Sequence, residues 1–134
     1  MLDTVNVKWT PRVLAILRIM TALLFLEHAT MKFLQFPAAI PGVPYPLPAI
    51  MLVAGTIEVI TALLMLVGFY TRLAAFIASG EMAAAYFMAH APQGFWPALN
   101  FGEPAILFCF IFLYLALAGG GAWAIDSARR PAMT

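Results

Sequence analysis

"RIMTALLFLEHATMKF", residues 18–33, is an apolar run that carries an arginine, a glutamate, a histidine and a lysine. The run belongs to a longer apolar segment from Val13 to Leu34, enough for a helix across a ~30 Å hydrocarbon core at 1.5 Å per residue. Charges are costly in hydrocarbon, and those within spans turn toward a bundle interior or a cavity. Arg18, Thr21, Phe25, His28 and Lys32 follow helical spacing and form one stripe. The stretch therefore predicts a membrane helix whose polar stripe faces other helices.

The whole chain fits that reading. Of 134 residues, 64% are hydrophobic and 10% charged, with a mean hydropathy of +0.96. A soluble domain of this size has no use for so much apolar surface. The net charge of +1 argues against nucleic acid as a partner. Cys109 is the one cysteine, which excludes an intrachain disulfide and a multi-cysteine metal site. The first twelve residues are polar and the apolar run after them is too long for a signal-peptide core, so the first helix reads as an uncleaved anchor.

Four apolar segments are predicted as helices, over residues 13–34, 48–69, 73–90 and 101–118. They make an all-α, integral membrane four-helix bundle in a single domain, residues 1–134. Their length and continuity exclude barrel strands. The first connection, "QFPAAIPGVPYPLP" at 35–48, has five prolines and reads as an irregular loop. In "GFYTR", 68–72, Gly68 is placed to end a helix and Thr71 to cap the next. "APQGFWPALN", 91–100, carries aromatic residues suited to a membrane interface. The "GGG" at 119–121 ends the last helix. Lys8, Arg12, Arg72, Arg129 and Arg130 fall on one side of this topology, and the positive-inside rule puts both termini in the cytoplasm. Ala75, Ser79 and Ala83, like Gly80 and Ala84, follow small-xxx-small spacing, which places the third helix in the middle of the packing.

Each helix carries one glutamate: Glu27, Glu58, Glu81 and Glu103. Counting ~1.5 Å per residue, Glu58 and Glu81 fall near mid-membrane, with Arg18 long enough to reach them. Glu27, His28, Lys32, His90 and Glu103 fall toward the outer end. Four carboxyls against Arg18 and Lys32 leave an excess of negative charge. Protons on carboxyls, protonated histidines or a bound divalent cation would each remove it. His28, Glu58 and Glu81 are the metal-ligand candidates. A ligand pocket is predicted from Arg18, His28, Lys32, Glu58, Glu81, His90 and Glu103, with the loop from Gln35 to Pro48 as its lid. The competing reading makes Arg18 with Glu58 or Glu81 a buried ion pair that fixes register, and the histidines hydrogen-bonded interfacial residues. The eight methionines read as apolar filler. The nucleophile elbow, P-loop and dinucleotide fingerprint are absent from the sequence.

"RIMTALLFLEHATMKF", "AGTIEVITALLMLVGFYTR", "GEMAAAYFMAHAPQGFWPALNFGEPAILF" and "GGGAWAID" together resemble the DoxX family of small four-helix bacterial membrane proteins, from about Arg12 to Asp126. The family-like polar residues are Arg18, His28, Lys32, Glu58, Glu81, His90, Glu103 and Asp126. The resemblance implies an inner-membrane, multi-pass protein linked to membrane oxidoreductase complexes, with no catalytic residue assigned.

Two functional classes follow. One is a quinone-linked redox subunit, an oxidoreductase component that binds a quinone-like molecule and works with a soluble redox partner subunit. The other is a non-enzymatic membrane scaffold or small-solute binder or carrier. A homo-oligomer is compatible with both.

Overall fold

The computed structural model describes residues 2–129. Arg130, one of the basic residues used for topology, lies outside them. The described residues are helical, with no strand. Helix α1 is Leu2–Leu34, α2 Ala49–Val67, α3 Thr71–Ala85, α4 Glu103–Ala118 and α5 Ile125–Ala128. A π-helical turn, Tyr86–His90, and a 3₁₀ turn, Ala91–Gln93, continue α3.

Helix α1 starts well before the predicted Val13. Its added turns are polar and mostly exposed, and Pro11 sits within them. Apolarity marks where a helix can cross lipid, not where the helix begins, which explains the difference. Two helices, α1 from Thr4 and α2, are long and apolar enough to cross a membrane; α4 is a shorter apolar helix. Gly68 ends α2 in the left-handed region at φ 70°, which glycine adopts without strain. The predicted Thr71 cap is corrected. Tyr70 occupies the N-cap position and no side chain of the turn caps α3.

The helices pack in chain order, α1 on α2, α2 on α3 and α3 on α4, and α1 also touches α4. The core alternates small and large side chains. Ala22, Ala62, Ala74, Ala75 and Ala78 surround Phe25, Met65, Phe112 and Leu115. The Phe25 ring meets Phe112 edge-on at 4.7 Å between centroids and so joins α1 to α4. Of the small residues on α3, Ala75 and Ser79 are buried, whereas Gly80 and Ala84 face outward. Only one of the two predicted stripes is used for packing. The outward faces of the long helices are strongly apolar, with Val13, Ile16, Met20, Ile60, Leu63 and Phe110 exposed. Water penalises such a surface and lipid does not.

Candidate functional site

Arg18 is fully buried at 0% exposure, yet it meets neither Glu58 nor Glu81. Its Nη1 donates to the carbonyls of Met65 (2.6 Å) and Leu66 (2.8 Å). Its Nε donates to Gly120 O (2.8 Å), and its Nη2 to Trp123 O (3.1 Å) and Ala122 O (3.4 Å). The expected ion pair is therefore corrected. The last carbonyls of α2 have no intrahelical donor and carry the negative end of the helix dipole. A planar guanidinium with five donors satisfies several of them at once. Glu58 lies about two turns away along α2, or ~10 Å, so the nearer carbonyls capture Arg18.

The same end of the molecule repeats that logic. Arg72 donates to the carbonyls of Ala116, Leu117 and Ala118, the last of α4. The Asp126 carboxylate accepts from the amides of Tyr70 (2.9 Å) and Thr71 (2.8 Å) at the start of α3. Burial opposes ionisation of Asp126, but these hydrogen bonds from Thr71 and Tyr70, with Arg129 nearby, hold its carboxyl below the ordinary value of 3.8. The Thr71 hydroxyl itself has no partner in hydrogen-bonding geometry. The segment 119–126 can fold back this tightly because of its glycines. A Cβ at Gly120 would stand 2.8 Å from Ala124 Cβ, and one at Gly121, at φ +70°, 2.6 Å from Pro11 O. A cavity of about 540 Å³ opens here, lined by Pro11, Tyr70, Thr71, Arg72, Gly119 and Asp126 among others.

A second cluster lies toward the opposite end. The Lys32 ammonium donates to both oxygens of Glu58 at 2.7 Å, with Lys32 at 8% and Glu58 at 2% exposure. Lys32 comes from the last turn of α1 and Glu58 from the middle of α2. Gly55, one turn before Glu58, makes room for this approach. A Cβ there would meet the Phe33 ring at 2.8 Å and Lys32 Cδ at 3.2 Å. Glu81 of α3 lies within electrostatic range of both Glu58 and Lys32. Both of its carboxyl oxygens are buried, and neither has a hydrogen-bond partner.

The other predicted site residues lie apart. His28 is exposed and faces a groove of about 350 Å³ between α1 and α4, beside Thr21, Leu24, Glu27, Leu107 and Phe108. Its ring meets Phe108 edge-on at 5.7 Å. Glu103 is exposed in the first turn of α4. His90 Nδ1 lies 3.0 Å from Asn100 O, and its ring stacks near Tyr86. The metal-ligand set of His28, Glu58 and Glu81 is also corrected: among the described residues no three His, Cys, Asp or Glu side chains are grouped to hold a metal ion. Asn100, which the sequence reading did not single out, is fully buried. Its side chain donates to Gly94 O and accepts from the Gly102 amide, both at 2.8 Å, fixing the turn into α4. The Asn–x–Gly spacing before Glu103–Pro104 was its only sequence signal.

Apolar outer faces with ionisable groups turned inward are the mark of helical membrane proteins. The DoxX family profile matches residues 13–91, and the chain belongs to that family, which is membrane-associated. A Haemophilus influenzae protein described as uncharacterized is 46% identical over 127 residues, covering 90% of this chain and 92% of the relative. No solved structure matches.

Proposed function

We propose that the chain, as one domain over residues 1–134, is a four-helix, multi-pass protein of the bacterial inner membrane with both termini cytoplasmic. In this reading it serves as the membrane subunit of a redox system and binds a quinone-like or other small ligand at the Lys32–Glu58–Glu81 cluster. The observation that carries it is Glu81, whose two buried oxygens have no partner beside an already complete ion pair. Folding alone gives no reason to bury a carboxyl without a donor. A ligand with hydrogen-bonding oxygens gives one, and a redox chemistry that moves protons would use the same group.

Support for the topology comes from Arg12, Arg72 and Arg129, which belong to segments that meet at the Arg18 end.

The test is to extract detergent-purified protein for quinones and to titrate a short-chain quinone analogue into it. The reading expects a stoichiometric ligand whose binding is lost in Lys32→Met and Glu81→Leu while folded protein remains. Absence of any bound or bindable quinone from folded protein would overturn the redox part and favour the scaffold or carrier.

A further inference from the structure

We propose that Glu81 holds a proton in the resting protein, so that the cluster presents an O–H donor and accepts a ligand bearing an acceptor oxygen, not a cation. The inference rests on the reading of Lys32, Glu58 and Glu81 as the working site and names the class of molecule that the site takes.

The argument is one of charge and space. From α1 the cluster receives Lys32, and from α2 it receives Glu58, whose two oxygens both accept from Lys32. That pair is neutral as a unit. From α4 the inward residues are Ala105, Phe108, Phe112 and Leu115, while its one carboxylate, Glu103, and Tyr114 are exposed and Cys109 lies against Ser79. On α3 itself Arg72 is committed to the end of α4, at the far end of the helix from Glu81. An ionised Glu81 would therefore add one uncompensated negative charge in an apolar interior, where such a charge is costly. The described residues group no metal-ligand set there. Both Glu81 oxygens are shielded, so the balancing cation must be small enough to sit within that shield, and a proton is.

The consequence for recognition is direct. A carboxylic acid has one O–H to give, and an ammonium has three N–H bonds, of which Glu58 uses two. Two donors, one on Glu81 and one on Lys32, are thus available to the acceptor oxygen of an uncharged ligand such as a carbonyl. A cationic ligand would bind only by expelling the proton from Glu81.

Infrared difference spectroscopy on ligand-free protein in lipid nanodiscs at neutral pH tests this. A neutral carboxyl band is expected in the wild type, unchanged in Glu103→Gln and lost in Glu81→Gln. Glu58→Gln should also abolish the band, because Lys32 is then free to pair with Glu81. A wild-type spectrum without the band, or a band that survives Glu81→Gln, would overturn the proposal. Should a variant fail to fold, wild-type protein is treated with a hydrophobic carbodiimide, which adds only to a protonated carboxyl. Adduct on Glu81 by mass spectrometry supports the proposal; adduct on Glu58 with none on Glu81 refutes it, since the reagent has then reached the cluster. A tetraalkylammonium probe that binds with release of one proton would also refute the assigned ligand class. The spectrum is read without ligand. A missing band therefore leaves quinone binding standing, and failure to bind quinone leaves the band standing.

Discussion

At one end of the helices, Arg18, Arg72 and Asp126 each meet backbone groups at a helix terminus. Toward the other, Lys32 and Glu58 meet each other and Glu81 meets nothing. The first arrangement closes: cations cover the ends of α2 and α4 and an anion covers the start of α3, each with the sign the helix dipole favours. Architecture accounts for every one of those charges. The second arrangement does not close, and the surplus carboxyl is what architecture leaves unexplained. A buried charge is therefore a poor guide to function until its partners are counted.

The contrast is tested first where it predicts the largest loss. Arg18→Ala leaves the carbonyls of Leu66, Gly120 and Trp123 without their buried donor, while Met65 O keeps the Gly68 amide. At ~1–3 kcal/mol for each unsatisfied group, a loss of about 4 kcal/mol is expected, read as a large drop in unfolding midpoint in detergent. Arg18→Lys should restore only part, because one ammonium cannot span the same carbonyls. An unchanged midpoint in Arg18→Ala would break the comparison at its stronger end.

Lys32→Met comes next. It leaves Glu58 buried without its cation, at about 3–5 kcal/mol, less if Glu58 takes up a proton. Adding Glu58→Gln should recover most of that loss, and a double-mutant cycle measures the coupling. If the two substitutions prove additive, the ion pair contributes nothing and the two ends no longer differ in kind.

Asp126→Asn should cost about 0.5–1 kcal/mol, because it removes the charge at the helix start and leaves one oxygen where two accept from Tyr70 and Thr71. The sign of its pH dependence follows from the lowered carboxyl. Its contribution is complete above pH 3.8 and is lost as pH falls through the lower folded value. Acid unfolding curves of wild type and Asp126→Asn should therefore be fully separated above pH 3.8 and converge only as pH falls below the lowered folded value. Arg72→Ala, at a more exposed helix end, should cost about 0.5–1 kcal/mol. The smallest effect is expected at Glu81, where Glu81→Gln should leave the unfolding midpoint within about 0.5 kcal/mol of wild type. A large loss there would show that Glu81 has a structural partner after all.

Much of the fold was legible because lipid imposes a simple rule on helices. The second and fourth segments matched α2 and α4 to within two residues, as apolar length and the glycines at 68 and 119 required. The extra turns of α1 were not legible, because polar helix has no length rule of its own. The stripe of Arg18, His28 and Lys32 marked polar residues but could not assign their partners: Arg18 meets the end of α2, Lys32 meets Glu58, and His28 lines a separate groove. The choice was made by free carbonyls, which every sequence has and no residue letter marks. Lys32 also needed the clearance provided by Gly55, a letter that in isolation says only that something approaches. His28 fell outside the cluster because a helix stripe is wide enough to serve both an interior and a groove.

Arg18 and Gly120 are separated by 102 residues, so this clasp closes only after the segment around Gly120 has been synthesised. Until then α1 has to be held with an arginine whose final acceptors do not yet exist. Near the end of its span such a residue costs an isolated helix less than the ~2.5–3.5 kcal/mol of a charge at the membrane centre, but it still draws the helix toward water. The first helix would thus ride shallow during biogenesis and settle to its final depth when Gly120, Ala122 and Trp123 arrive. Chains that stop before that segment would retain an unquenched arginine inside a helix, which gives a membrane protease a physical basis for telling unfinished copies from finished ones.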